Sequence, residues 1–170
     1  DANAFYNLGI AYLKGEIIKS DIDKFLLYLT LAAEQNHPDA QYMLGIYYSE
    51  SEYLDINLAI HYYTLAANQN HPAALNSLGM IYIKGEFTER DINKSIYYFT
   101  LAANQNCLDA QHNLGMIYYC SQFNRRDISK SIYYFTLAAN QNHSVAQNKL
   151  GLIYYNGEYV ERDMNKAIHY

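Results

Sequence analysis

The side chains best equipped for chemistry in this sequence are its histidines and cysteines. Three histidines, His37, His71 and His143, recur directly before predicted helices. A metal needs its ligands within about 2.0 to 2.3 Å of one ion, whereas neighbouring packed helices lie roughly 10 Å apart. We therefore predict that these histidines cap helices or pack between them, and that the chain holds no metal and no cofactor.

The two cysteines, Cys107 and Cys120, lie at the two ends of one predicted helix. At about 1.5 Å of rise per residue they are roughly 20 Å apart, well beyond the limit of about 7 Å for a disulfide. Cys120 is the one nucleophile to consider, but we interpret it as a small, half-buried hydrophobe. Reduced thiols suit the cytoplasm, which is the location that we expect.

Other signatures of catalysis are missing from the sequence. It contains no glycine-rich phosphate loop, no HExxH and no paired-cysteine cluster, and its carboxylates are scattered over predicted loops and helix caps. We therefore predict no catalytic residue and no enzymatic activity. A formal net charge of −5 argues against nucleic acid as a partner. Since no apolar run reaches the roughly 18 residues that span a bilayer, we expect no insertion into a membrane.

The phrase Leu-Gly-x-x-Tyr occurs five times, with its glycine at positions 9, 45, 79, 115 and 151. The glycines recur every 34 or 36 residues, a period typical of helical repeat arrays. We predict one domain of five repeats at about residues 1–36, 37–70, 71–106, 107–142 and a truncated 143–170. Because the chain lacks an initial Met and ends within a predicted helix, we expect it to be part of a longer array.

Two helices are predicted in each repeat. In helix A, counted from the glycine, Ala at −5, Leu at −1 and Tyr at +3 recur four residues apart and predict one inward stripe. Gly15, Gly85 and Gly157 suit a left-handed C-cap after this helix. An aspartate, the expected N-cap of helix B, follows in every repeat, at positions 21, 55, 91, 127 and 163.

Helix B carries small and aromatic residues at four-residue steps, as in Ser95, Phe99 and Ala103. Small residues let helices approach closely, and the aromatic ring fills the space between layers. The glycine of helix A suits the same purpose, since a glycine within a helix costs roughly 1 kcal/mol and needs a packing reason. Each repeat is then a helical hairpin that stacks on the next.

These motifs, as in Ala74 to Tyr82 and Asp91 to Ala103, resemble the Sel1-like repeat family, a branch of the tetratricopeptide superfamily. The resemblance covers the whole chain and implies an all-α fold, an α/α right-handed superhelix or solenoid of about five stacked helix-turn-helix repeats. It also implies a role as an adaptor. Some cysteine-rich bacterial members have a disulfide in each repeat and a link to penicillin binding, a pattern that this sequence lacks.

We name the helix A residues opposite the inward stripe the groove row, since they are expected to line the concave side of the superhelix. They stand at −3, +1, +4 and +5 and differ between repeats more than the inward stripe does. The interpretations left open are recognition of an extended peptide or helix and packing against adjacent repeats. The candidate partner-binding residues are Tyr6, Tyr42, Asn76, His112, Asn148, Met80, Met116, Tyr119 and Tyr155.

On helix B, the residues six and ten places after the aspartate form a second candidate surface, which we name the outer row. We expect both places to be solvated on the convex side, where an apolar stripe marks an assembly surface or a position that tolerates any residue. The candidates for a convex contact are Leu65, Tyr97, Leu101, Tyr133 and Leu137.

The function predicted from this pattern is a non-enzymatic scaffold or adaptor that binds a protein or peptide in the groove. The alternative is a structural component of a larger protein assembly that uses the outer row. An enzyme, a hydrolase of the cysteine-rich bacterial type, has the least support, because it needs polar groups that converge in one pocket.

Overall fold

In the computed structural model, residues 1–15, 19–50, 54–86, 88–120, 126–157 and 159–170 are described. Within these ranges the chain forms ten α-helices and no strand. The helices are α1 (Ala2–Lys14), α2 (Ile22–Glu34), α3 (Pro38–Glu50), α4 (Ile56–Asn68), α5 (Pro72–Lys84), α6 (Ile92–Ala103), α7 (Leu108–Tyr119), α8 (Ile128–Asn140), α9 (Ser144–Asn156) and α10 (Met164–His169). Odd-numbered helices are helix A of a repeat, and even-numbered helices are helix B.

Contacts divide the chain into two compact units, Asp1–Arg90 with α1 to α5 and Asp91–Tyr170 with α6 to α10. Within each unit, consecutive helices pack against each other along the chain. The assignment of residues 1–170 to one domain stays a prediction.

The predicted aspartate caps begin every helix B. In each, one carboxylate oxygen accepts the backbone N–H three residues later, at 2.9 to 3.1 Å. That bond also lowers the pKa of Asp21, Asp127 and Asp163. Asp21, Asp127 and Asp163 each contact the lysine three residues on at 3.5 Å. The prediction is confirmed in all five repeats.

Helix ends combine one predicted feature with one that sequence reasoning missed. Gly15, Gly85 and Gly157 follow α1, α5 and α9 with φ between 64° and 68°, which confirms the left-handed caps. An asparagine with φ between 60° and 65° follows every complete helix B, at Asn36, Asn70, Asn106 and Asn142. Asparagine tolerates this conformation better than most residues. Its recurrence before the histidines was the available signal.

The inward stripe of helix A forms the core together with helix B. Its alanines and leucines are fully buried from the second repeat onward, at positions 40, 44, 74, 78, 110, 114, 146 and 150. Ala4, predicted to be inward, is exposed instead. It lies on α1, which packs against α2.

The tyrosine at +3 lies at the rim of this core. It stacks on a tyrosine of the following helix B, with ring centroids 5.7 Å apart for Tyr12 and Tyr28 and 5.9 Å apart for Tyr118 and Tyr134. The lysine after the aspartate cap covers the outer face of the ring in the same repeats, 5.1 Å from its centroid. The +3 position is therefore half-buried, because the stack leaves one face of the ring near solvent.

A glycine on helix A faces an aromatic ring on helix B, so the two helices of these repeats lie close together. A Cβ atom at Gly115 would lie 2.5 Å from the ring of Phe135, and one at Gly45 would lie 2.5 Å from the ring of Tyr63. In the first repeat the ring is replaced by Leu29, and a Cβ atom at Gly9 would meet its nearest neighbours at 3.4 to 3.5 Å. The predicted packing role is confirmed for Gly45 and Gly115, whereas Gly9 has room for a Cβ atom.

Buried glutamines connect three successive helices. Gln41 donates to the carbonyl oxygen of Ala33 at 3.1 Å and accepts from Gln69 at 2.8 Å. Gln111 donates to the carbonyl oxygen of Ala103 at 3.4 Å and accepts from Gln141 at 2.8 Å. Both central amides are only 1% exposed, so these bonds satisfy groups that water does not reach.

Candidate functional site

The three recurring histidines are helix caps. The Nδ1 atoms of His37, His71 and His143 accept the backbone N–H of Ala40, Ala74 and Ala146 at 3.3, 3.2 and 3.1 Å. Cys107 occupies the same place before α7 but forms no side-chain cap bond. The structural role predicted for these histidines is confirmed.

Each histidine cap also stacks on the −3 side chain of the preceding repeat. Ring centroids are 4.5 Å apart for Tyr6 and His37, 4.7 Å for Tyr42 and His71, and 4.6 Å for His112 and His143. Tyr6, Tyr42 and His112 therefore pack against the adjacent repeat, one of the two interpretations left open for the groove row, because a ring of the next repeat covers each of them. Asn148 is exposed and Asn76 is half-buried. A direct role of these five residues in binding stays a prediction.

His112 is the polar group of this row with the most unusual surroundings. Its Nε2 atom is buried and has no hydrogen-bond partner in the described part of the chain. Burial lowers the pKa of His112, and the nearby His143 lowers it further, whereas Asp109 opposes the shift. The neutral imidazole is therefore favoured in the folded protein.

We expect the free energy of unfolding to fall as the pH drops below about 6.5, the usual pKa of histidine in an unfolded chain. Over that range the unfolded chain binds a proton at residue 112 that the folded chain excludes, so acid favours unfolding. His112→Asn, which copies Asn76 and Asn148, should make this dependence shallower. Urea titrations at pH 7 and pH 5.5 measure the change in the free energy of unfolding between the two pH values. An equal change in the original chain and in His112→Asn would contradict the role assigned to His112.

The remaining groove-row residues differ in how accessible they are. Met80 and Met116 are half-buried, whereas Leu152 and Tyr155 on α9 are exposed. Tyr119 is half-buried because its ring packs 6.5 Å from the ring of Phe135 and 6.3 Å from that of Tyr159, measured between centroids. The exposed apolar side chains of the groove row are therefore Leu152 and Tyr155 on α9 and Leu13, at +4 on α1.

An open cavity of about 290 Å³ lies within the first unit, between α3, α4 and α5. Tyr63, only 3% exposed, lines it from α4. The Tyr63 hydroxyl is 3.0 Å from Ser49 Oγ and also bonds with Ser77. The lining residues are Ser49, Glu50, Ile56, Tyr63, Ser77, Met80, Ile81, Lys84 and Glu86. Four of these, Ser49, Glu50, Met80 and Lys84, belong to the groove rows of two consecutive repeats.

The outer row is only partly as expected. Tyr97 and Tyr133 are 59% and 58% exposed, and each forms an edge contact with the tyrosine that follows it. The leucines at +10, namely Leu65, Leu101 and Leu137, are half-buried, so the prediction that they are solvated is wrong. Four residues advance a helix by about 400°, which turns the +10 position roughly 40° away from +6.

The cysteines flank α7, with Cys107 at its N-cap and Cys120 at its C-cap, and both are half-buried free thiols. Burial raises the pKa of Cys107, which disfavours the reactive thiolate. In the described ranges no three His, Cys, Asp or Glu side chains are grouped as a metal site requires. No helix there is long and apolar enough to cross a membrane.

The sequence model of a protein family, the Sel1 repeat, matches the chain five times, at residues 2–37, 38–71, 72–107, 108–143 and 144–170. The chain therefore belongs to the Sel1 repeat family, and each repeat begins one residue later than predicted. Sel1 repeats generally mediate protein–protein interactions and are generally not enzymes.

Solved structures confirm the predicted all-α repeat fold. A Sel1 repeat protein from Oxalobacter formigenes is 30% identical with a TM-score of 0.89, over 99% of this chain and 70% of that one. A protective antigen of uropathogenic Escherichia coli with an SLR fold is 29% identical with a TM-score of 0.90, and this chain spans 37% of its length. Helicobacter pylori cysteine rich protein B, 20% identical with a TM-score of 0.59, shares the fold. No curated protein matches the chain.

Proposed function

We propose that the chain is a non-enzymatic scaffold whose groove row binds an extended segment or a helix of a partner protein. The observation that carries this proposal is the open cavity between α3, α4 and α5, to which groove-row residues of two consecutive repeats contribute. A segment that lies along the row contacts one repeat after another, so its affinity is the sum of several modest contacts.

The chemistry of the row favours a partner with apolar anchors. Met80, Met116 and Leu152 supply apolar surface at the +1 position, and methionine adapts its shape to different partners. The polar groups next to these anchors on α9 are an amide and a phenol, Asn148 and Tyr155, while Glu50 and Lys84 place one charge of each sign at the cavity. Such groups orient a peptide through hydrogen bonds without requiring a charged partner.

The groove variant replaces Met80, Asn148, Leu152 and Tyr155 by serine, which leaves the histidine caps and their stacks intact. We expect it to capture partner proteins from native extract at least about tenfold less well than the original chain, because a few buried anchors carry most of the affinity of an interface. Immobilised protein and quantitative mass spectrometry measure capture. Far-ultraviolet circular dichroism checks that helicity persists.

The alternative function, a structural component of a larger assembly, is favoured by the exposure of Tyr97 and Tyr133 on the outer row. Replacing both by lysine gives a matched control for the groove variant. Under the groove proposal this control captures the same partners as the original chain. Loss of capture by the lysine variant, with the groove variant unchanged, would transfer the binding role to the outer row.

A further inference from the structure

The cavity in the first unit has a filled counterpart in the second unit. When the repeats are aligned, Ser49 corresponds to Tyr119, Tyr63 to Phe135 and Ser77 to Lys149. In the fourth repeat the rings of Tyr119 and Phe135 are tilted against each other with their centroids 6.5 Å apart, and Lys149 Nζ is 5.8 Å from the centroid of the Tyr119 ring. The residues that line the cavity in the first unit therefore correspond to Tyr119 and to the residues around its ring in the second unit.

The cavity is open because two small residues coincide there. At +4 the five repeats carry Leu13, Ser49, Ile83, Tyr119 and Tyr155, and at −2 they carry Asn7, Met43, Ser77, Asn113 and Lys149. Serine is the smallest residue in both series, and Ser49 and Ser77 line the same cavity. The space left open by these two serines corresponds to the space that the ring of Tyr119, on α7, fills in the fourth repeat.

We propose that this cavity binds a tyrosine side chain of the partner segment, an inference that rests on the proposed groove function. At about 290 Å³ it lies near the lower end of the roughly 300 to 1,000 Å³ typical of ligand pockets, which suits one large side chain better than a cofactor. Ile56, Met80 and Ile81 provide the apolar surface that an aromatic ring needs.

Polar groups in the cavity distinguish tyrosine from other aromatic residues. The hydroxyl groups of Ser49, Tyr63 and Ser77 lie among the lining residues. The Ser49 hydroxyl donates to the carbonyl oxygen of Ile46 and is 3.0 Å from the Tyr63 hydroxyl, so a phenol hydroxyl that enters would donate to the lone pairs that these oxygens keep. At the rim, Glu50 and Glu86 outnumber Lys84. This balance disfavours a phosphorylated tyrosine, because the added negative charge meets two carboxylates.

The experiment uses N-acetyl-L-tyrosinamide as the probe, titrated into the isotopically labelled chain and followed by amide shifts in nuclear magnetic resonance. We expect saturable shifts at Ser49, Ser77 and Met80. Ser49→Tyr, which copies the fourth repeat, should weaken binding at least about thirtyfold because its own ring fills the cavity. Ser49→Ala keeps the cavity open and should bind within about threefold of the original chain. N-acetyl-phosphotyrosinamide should not bind at this place.

Several results would overturn the inference: no saturable binding of the probe, shifts confined to other residues, or equal affinity for Ser49→Tyr and the original chain. Circular dichroism on Ser49→Tyr keeps a loss of binding from being confused with unfolding. The groove proposal is separable from this test. If the probe binds but the groove variant still captures partners, the tyrosine site in the cavity is supported and the proposed groove function is contradicted. If the probe does not bind but the groove variant loses capture, only the tyrosine site is contradicted.

Discussion

Replacing Phe135 by alanine should lower the free energy of unfolding by about 3 to 5 kcal/mol, the range for a buried aromatic residue that leaves a cavity. Phe135 lies on α8 and is fully buried, and it packs against Gly115 of α7. A backbone held by the helices around it has little freedom to close the space. Urea denaturation followed by circular dichroism measures the change.

The matched control is Tyr133→Ala, on the same helix and two residues away. Tyr133 is largely exposed, so its removal should change the free energy of unfolding by no more than about 0.5 kcal/mol. Repeat arrays do not always unfold in one step. The free energies of the two variants are therefore compared for the same unfolding transition, measured from the same folded baseline. Equal losses for the two variants would show that the buried ring is not what stabilises this hairpin.

The second large effect is a difference in sign between two chemically identical substitutions. Gly9→Ala should stabilise the chain by about 0.5 to 1 kcal/mol, because alanine is the better helix former and its Cβ meets only ordinary contacts at 3.4 to 3.5 Å. Gly115→Ala should destabilise it by about 1 to 2 kcal/mol, since a Cβ atom 2.5 Å from the Phe135 ring forces a fully buried side chain to move.

A double variant separates this clash from any other effect of the new methyl group. Gly115→Ala combined with Phe135→Leu reproduces the pairing that Gly9→Ala creates with Leu29 in the first repeat. We expect the double variant to be more stable than the sum of the two single changes predicts, as contacting residues usually are not additive. Additive free energies, measured by the same urea titration, would contradict the proposed contact between the two positions.

Much of the fold follows from local features that the sequence repeats. An aspartate cap, a glycine with positive φ and a small residue facing a ring each depend on a few neighbouring residues, and five aligned copies remove the ambiguity of any single one. Asp127, Gly157 and Gly115 were predicted correctly for this reason. The asparagine turns had the same kind of signal, at Asn36 and its equivalents, but it was overlooked.

The candidate site was less predictable because it depends on which side chains from different repeats meet. The −3 position of Tyr42 varies among the repeats in a way that suggests recognition, yet in the fold Tyr42 stacks on His71, almost thirty residues later. The cavity likewise needs Ser49 and Ser77 to face each other across two helices. Periodicity locates each residue on its helix, but it does not say how large the space between two helices is.

The buried glutamines have a consequence for how neighbouring repeats fold. The third and fourth repeats share the run Lys-Ser-Ile-Tyr-Tyr-Phe-Thr-Leu-Ala-Ala-Asn-Gln-Asn, so their second helices are nearly interchangeable during folding. Ala103 and Gln105 occupy the same places in this run as Ala139 and Gln141, so either second helix offers the Gln111 amide the same kinds of partner. The amide therefore does not distinguish the correct pairing from the exchanged one, and copies this similar are prone to pair wrongly.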